Sequence, residues 1–217
     1  MIIVMLGAPG AGKGTIGKQL AKDIKANYIT TGDAFRNIMN HENELGKKIK
    51  DAIESGKLVP DELAIKIFEE EVLPKDLNQD IILDGYPRTE EQAKHLEEYL
   101  ENNNLTVHAV INIDVPYELI IDRMVNRRIC PNCKSIYNLK YGKKPQIENI
   151  CDECGTNLIQ RTDDNEKTIR DRLVTYEINT KPLIEYYKEQ EKLINIISDE
   201  KTSIDELVKQ AKEYTKK

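Results

Sequence analysis

The stretch GAPGAGKGT, residues Gly7 to Thr15, follows the unbroken apolar run MIIVML at 1–6. A run with no polar alternation suits a strand covered on both faces, as in a parallel sheet. The chain then passes through four glycines in nine residues with one lysine among them. Glycines let backbone N–H groups curl around phosphate oxygens, a following helix N-terminus adds its dipole, and a lysine at this spacing reaches the terminal phosphates of a nucleotide. Gly7-x4-Gly12-Lys13 nearly fits the P-loop pattern, with Gly14 in the place after the lysine and Thr15 next. Gly10, Ala11, Gly12, Lys13, Gly14 and Thr15 are therefore candidates to hold a nucleoside triphosphate. A merely structural turn would not need the lysine.

Outward from this loop, strands are expected at 1–6, 27–30, 80–84, 108–114 and 193–197. Helical patterns lie near 13–25, 33–55, 60–72, 89–102, 117–128, 166–190 and 203–216. Alternating β and α elements predict a doubly wound α/β class, here a P-loop nucleotide-binding fold with a parallel sheet flanked by helices. Two stretches interrupt the rhythm. One, 31–59, reads as two short helices hinged around ENELG; the other, 127–164, carries all four cysteines and little helical periodicity. Both read as inserted lobes, leaving 1–30, 60–126 and 165–217 as the core.

Composition narrows the class further. At 217 residues, 39% hydrophobic, the chain is long enough for one core of ordinary size. A formal net charge of -6 argues against a general nucleic-acid binder, which needs a cationic surface. No apolar run approaches the roughly 18 residues of a membrane span, and no basic segment precedes the short apolar start. A cytoplasmic location is expected, with no membrane partner.

Six motifs together resemble the adenylate kinase family: GAPGAGKGT, TGDAFR (31–36), GKLVPDE (56–62), LDGYPRTEEQ (83–92), DRMVNRR (122–128) and QRTDDNEKTIRDRL (160–173). The likeness runs through the whole chain in order and is to the long-lid bacterial form with a zinc-binding lid. It implies reversible phosphoryl transfer from MgATP to AMP giving two ADP, in adenine nucleotide homeostasis. It also implies an AMP-binding lobe at 31–59, a lid at 127–164 and a monomer.

The residues support such chemistry on their own terms. Phosphoryl transfer between two nucleotides gathers many anionic oxygens, so the protein must align and neutralise them. The chain has eight arginines against twenty-four lysines, and all eight arginines lie in the quoted motifs. The rigid guanidinium fork grips phosphate bidentately, which is the reason to choose it over lysine. By resemblance, Arg36 and Arg88 hold the AMP phosphate and Arg123 and Arg127 face the ATP phosphates; at four residues apart in a helical pattern, that second pair can share one face. Arg161 and Arg172 would arrive with the lid, on the acceptor side and the transferring group. Arg128 and Arg170 read equally well as helical ion-pair partners.

Asp84 resembles the carboxylate that holds magnesium through water; its alternative is a strand-end cap. His41, His95 and His108 fall outside the motifs, in keeping with a mechanism that needs no general base. The amide of Gln92 offers a donor and an acceptor together, matching the edge of adenine. By resemblance Thr31, Lys57, Leu58, Val59, Gly85, Tyr86 and Pro87 complete the AMP pocket, with Tyr86 where many relatives carry Phe. On the ATP side Ile136 and Tyr137 would flank the adenine, and a last contact falls near Lys201 or Thr202.

Cys130-x-x-Cys133, seventeen further residues, then Cys151-x-x-Cys154 matches a closed four-thiolate zinc site, structural because no position is left open. A lobe this small needs such a staple. Two alternatives stay open: a nucleoside monophosphate kinase for another base, or a zinc-ribbon module binding nucleic acid. For the latter, residues 130–161 hold five basic side chains against three acidic ones, a weak excess.

Overall fold

The computed structural model describes residues 1–73 and 77–215. In chain order β1 (Ile2–Gly7) leads to α1 (Lys13–Ile24), β2 (Asn27–Thr30), α2 (Thr31–Ile38), α3 (Glu44–Glu54) and α4 (Asp61–Ile67). Then come β3 (Ile81–Asp84), α5 (Glu90–Asn102), β4 (Val107–Asp114) and α6 (Tyr117–Val125). The strands β5 (Arg127–Ile129) and β6 (Ile136–Asn138) form a separate antiparallel pair. The chain ends with α7 (Glu166–Asn179), α8 (Pro182–Glu189), β7 (Leu193–Ile197) and α9 (Ile204–Glu213).

Five strands pair in parallel in the order β2-β3-β1-β4-β7. Ile3, Met5, Ile82, Ile111 and Ile113 pack on one face against Ile16, Leu20, Ile120 and Leu207. Ile2, Val4, Leu6, Ile81, Leu83 and Val110 pack on the other against Leu96, Leu100, Leu183 and Tyr187. Helices on both faces explain why the inner strands are apolar at successive positions. The edges depart from that expectation: β7 leaves Ile197 68% exposed, because a second layer does not reach past the last strand.

Two expected helices are corrected. The pattern at 117–128 ends as a helix at Val125, where the Asn126 side chain donates back to Asp122 O and Oδ1 and stops the turn. Arg127 and Arg128 therefore lie in β5, so Arg123 and Arg127 do not share a helical face. The pattern at 166–190 is two helices; Thr180 and Lys181 both donate to Tyr176 O, and Pro182, lacking an N–H, opens the next helix. The pattern at 33–55 divides at ENELG as expected, with Asn43 capping α3 by accepting from Gly46 N at 2.8 Å. At 60–72 the helix runs through α4 and widens to a π turn over Phe68–Val72. The last helix begins at a capping box of Ser203 and Glu206; residue 216 of its expected span lies outside the described residues.

Two smaller cores sit beside the main ones. Phe35, Ile49 and Val59 pack with Ala64 and Ile67 of α4, so the 31–59 segment leans on a core helix. Residues 127–164 hold no helix, and their core is Cys130, Tyr137, Cys151 and Leu158.

Candidate active site

A cleft of about 1180 Å³ opens at the C-terminal ends of the parallel strands, lined by Gly7, Thr30, Asp84 and Ser198 among others. Ligands in open α/β sheets bind at this edge, and the volume exceeds the roughly 300–1,000 Å³ of ordinary single-ligand pockets. Every candidate nucleotide contact lines the cleft except Thr31, which is 2% exposed with its Oγ1 buried and unpartnered. Thr31 sits behind Gly85, whose φ of +89° and 2.7 Å clearance to Thr31 Oγ1 leave no room for a Cβ.

The glycine loop carries the chain from β1 into α1. Gly10 has φ +86°, and a Cβ there would stand 2.6 Å from the Met124 side chain, so only glycine turns the chain this tightly. Lys13 folds over the loop, its Nζ donating to Gly7 O at 2.7 Å and Ala8 O at 2.9 Å. Burial lowers the Lys13 pKa to about 8; Asp84 opposes the shift, while Arg88, Arg172 and Arg127 add to it. An anion placed here would relieve that cationic crowding.

On the side of the 31–59 segment, Arg36 is held by Asp33 at 2.7 Å. Arg88 donates from Nε to Gly85 O at 2.8 Å, and burial lowers its pKa to about 10, with Arg172 contributing. Lys57, Leu58 and Val59 follow Gly56, whose carbonyl accepts from Thr175 Oγ1 of α7 at 2.9 Å. Gln92 is 2% exposed. Its Oε1 accepts from Arg88 N at 2.8 Å and its Nε2 donates to Asp61 Oδ1 at 2.7 Å, so half of its hydrogen-bonding capacity is already used within the protein.

Across the cleft, Arg127 meets Asp164 and Arg172 meets Asp163 at 2.6 Å. The Arg161 guanidinium has no hydrogen bond or salt bridge among the described residues; burial first, then Arg127 and Arg36, lowers its pKa to about 10. Arg123 donates to Asp199 O at 3.0 Å. Arg170 is the exposed helical partner of Glu166, one of its two sequence readings. Arg128 makes no ion pair among the described residues and instead donates to the carbonyls of Val125 and Arg127, because it sits in a strand. Asp84 ends β3, and its Oδ2 accepts from the Tyr28 hydroxyl. Tyr86 packs in the core with its ring stacked on Phe68 at 3.8 Å. Ile136 and Tyr137 border the cleft, but Tyr137 is 1% exposed and its hydroxyl accepts from Asp152 N inside the lobe. Thr202 donates from Oγ1 to Asp199 Oδ1 at 2.7 Å.

Sequence reasoning missed Tyr28, Asp33, Asp163, Asp164, Asp61 and Thr175. The adjacent acids at 163 and 164 sit in an arginine-rich motif and could have been suspected as partners. Tyr28 carries no such signal, since one aromatic residue in a short strand is ordinary.

The four cysteine sulfurs lie within 4.8 Å of one another, with Cys130 and Cys154 at 3.4 Å and Cys133 and Cys151 at 3.5 Å. A tetrahedral zinc with Zn–S of about 2.3 Å has edges of about 3.8 Å, so the set fits that ion. The two turns repeat each other: Cys130 N donates to Ser135 O and Cys151 N to Thr156 O, both at 2.9 Å. The Thr156 hydroxyl and backbone lower the Cys154 pKa to about 5, which favours the thiolate a metal binds. Lys140 and Lys143 of the same lobe are paired with Asp122 and Glu153.

Comparison with known proteins adds kinship to this geometry. The family model for adenylate kinase matches residues 5–192. The chain is 44% identical over 212 residues to an adenylate kinase of Caldanaerobacter subterraneus subsp. tengcongensis, covering 98% of this chain and 95% of that protein. It is 42% identical to one of Thermoanaerobacter sp., covering 98% and 96%, and 45% identical over 200 residues to one of Acetivibrio thermocellus, covering 92% of each.

Proposed function

The chain belongs to the adenylate kinase family of phosphoryl-transferring enzymes, and we propose that it moves the terminal phosphoryl group of MgATP reversibly to AMP, giving two ADP. The observation that carries this reading is the convergence of Lys13 with Arg36, Arg88, Arg123, Arg127, Arg161 and Arg172 on one cleft of about 1180 Å³. A site for one nucleotide has no use for a second bank of guanidinium groups; two nucleotides meeting end to end do.

In this mechanism the loop N–H groups and Lys13 hold the donor phosphates while Arg36 and Arg88 hold the acceptor phosphate. That acceptor is already an anionic nucleophile at neutral pH, so the chain must align it and neutralise charge rather than remove a proton. Arg161, whose guanidinium has no salt bridge among the described residues although Asp163 and Asp164 lie near enough to be felt, is the guanidinium most available to the transferring group. Arg127 and Arg172 are oriented for it by Asp164 and Asp163. Magnesium arriving with ATP would be held through water by Asp84 and would offset charge on the phosphates. Zinc held by Cys130, Cys133, Cys151 and Cys154 would staple the lid and take no part in chemistry.

In this reading 31–59 is the AMP lobe and 127–164 the lid. We further propose that the protein works as a cytoplasmic monomer; none of its described helices is long and apolar enough to cross a membrane. The test is to mix the protein with MgATP and each nucleoside monophosphate in turn. AMP should give ADP fastest; another base giving its diphosphate faster than AMP does would reassign the acceptor.

A further inference from the structure

Gln92 can read a base only if its amide faces the right way, and its direction is set by the backbone N–H of Arg88 and the carboxylate of Asp61, not by a guanidinium or the glycine loop. A carboxamide has two nearly isosteric orientations that exchange the donor and acceptor edges. Here both internal partners of Gln92 have fixed roles. Arg88 N–H can only donate, so it demands Oε1; Asp61 Oδ1, as a carboxylate, can only accept, so it demands Nε2. Turning the amide over would set oxygen against carboxylate and N–H against N–H, in a residue only 2% exposed.

Asp61 is itself held in place. It is the first residue of α4, and the same Oδ1 accepts from Thr89 Oγ1 at 3.0 Å. Thr89 caps α5 by accepting from Gln92 N at 3.2 Å, so Asp61, Thr89 and Gln92 close a ring between the starts of two helices. The free N–H and the free lone pair of Gln92 remain for a ligand.

We propose that Asp61 is a positioning residue for base selection: by locking the Gln92 amide it admits an edge with an acceptor and an amino donor, as in adenine, and rejects the inverted edge of hypoxanthine or guanine. The inference rests on the reading of Gln92 as the base contact. Adenine offers N1 as acceptor and N6–H₂ as donor, whereas hypoxanthine offers N1–H and O6.

The test measures transfer from MgATP to AMP and to IMP by wild type, Asp61→Ala, Asp61→Asn and Gln92→Leu, each as the full chain. Asp61→Ala should lower the AMP-to-IMP ratio of kcat/KM by about tenfold, chiefly through the AMP KM, the scale of one misoriented hydrogen-bonding group. Its ATP KM should not move. Asp61→Asn, whose Oδ1 can still accept from Nε2, should recover most of the ratio; a mere helix-start role would change melting temperature without touching it. A ratio unchanged in Asp61→Ala, alongside a raised AMP KM in Gln92→Leu, overturns the positioning role alone. An AMP KM unchanged in Gln92→Leu overturns the base reading and the positioning role with it.

Discussion

Arg127 and Asp164 meet as two parallel forks, Nε donating to Oδ2 at 2.8 Å and Nη2 to Oδ1 at 2.5 Å. The Asp164 side chain is fully buried and that of Arg127 is 16% exposed, so the pair joins β5 to the segment that leads into α7 at the edge of the cleft. Removing the acid leaves a cation that is unpaired and mostly desolvated. Asp164→Ala should destabilise the protein by about 3–5 kcal/mol and raise the ATP KM as Arg127 swings away. Thermal melts and initial rates check both; an unaltered ATP KM would make the pair purely structural.

Lys13 leads to a prediction about protons. Its pKa, lowered to about 8 by burial and surrounding cations, should return upward when phosphate arrives. Near pH 8.5 the free protein then carries Lys13 largely neutral and the complex carries it charged, so ATP binding should take up a sizeable fraction of a proton. Calorimetry in buffers of different ionisation enthalpy reads this directly, and Lys13→Met should abolish the uptake. The sign for folding follows from the same shift: between pH 8 and 10.5 the unfolded chain binds more protons at this residue, so Lys13 makes stability rise with pH across that window.

Lys13→Met should also lower kcat/KM for transfer by about a hundredfold or more, since it deletes a point charge aimed at developing negative charge. The fold should persist, because the bonds lost are the two to Gly7 O and Ala8 O in the loop itself. A folded variant with near-normal turnover would place the donor phosphates elsewhere.

Replacing Cys130 and Cys133 together by serine should abolish stoichiometric zinc and lower the melting temperature. The buried sulfurs of Cys130 and Cys151 form the small lobe core with Tyr137 and Leu158, and that core has little else to hold it. The parallel sheet is built from residues on either side of the insertion, so measurable transfer at moderate temperature should remain. Elemental analysis with rates well below the melting point checks this; complete loss of chemistry in a folded double variant would make the metal catalytic.

The Arg161 guanidinium stands in the cleft with no salt bridge among the described residues, and its lobe should exclude water from the reaction. Hydrolysis of ATP without AMP should therefore run far below transfer with AMP. Comparable rates in a direct phosphate-release assay would count against an excluding lid.

Local signals were enough for much of this molecule. An apolar run into four glycines and a lysine prescribes a buried strand, a phosphate loop and a helix, because each residue type limits the backbone next to it. The β and α alternation prescribes a parallel sheet, and paired C-x-x-C turns prescribe a four-sulfur cluster, whose atoms do converge. What pattern could not supply were the partners brought from far along the chain. Arg127 was read onto a helical face with Arg123, yet Asn126 ends that helix and Asp164, 37 residues on, claims the guanidinium. Tyr28 reaches Asp84 across 56 residues, and Asp61 reaches Gln92 across 31. Side-chain orientation in a cleft is decided by which donors and acceptors the packed elements bring within hydrogen-bond reach. That depends on the sheet order and the docking of α4, α5 and α7, so it exists only once the tertiary structure has formed.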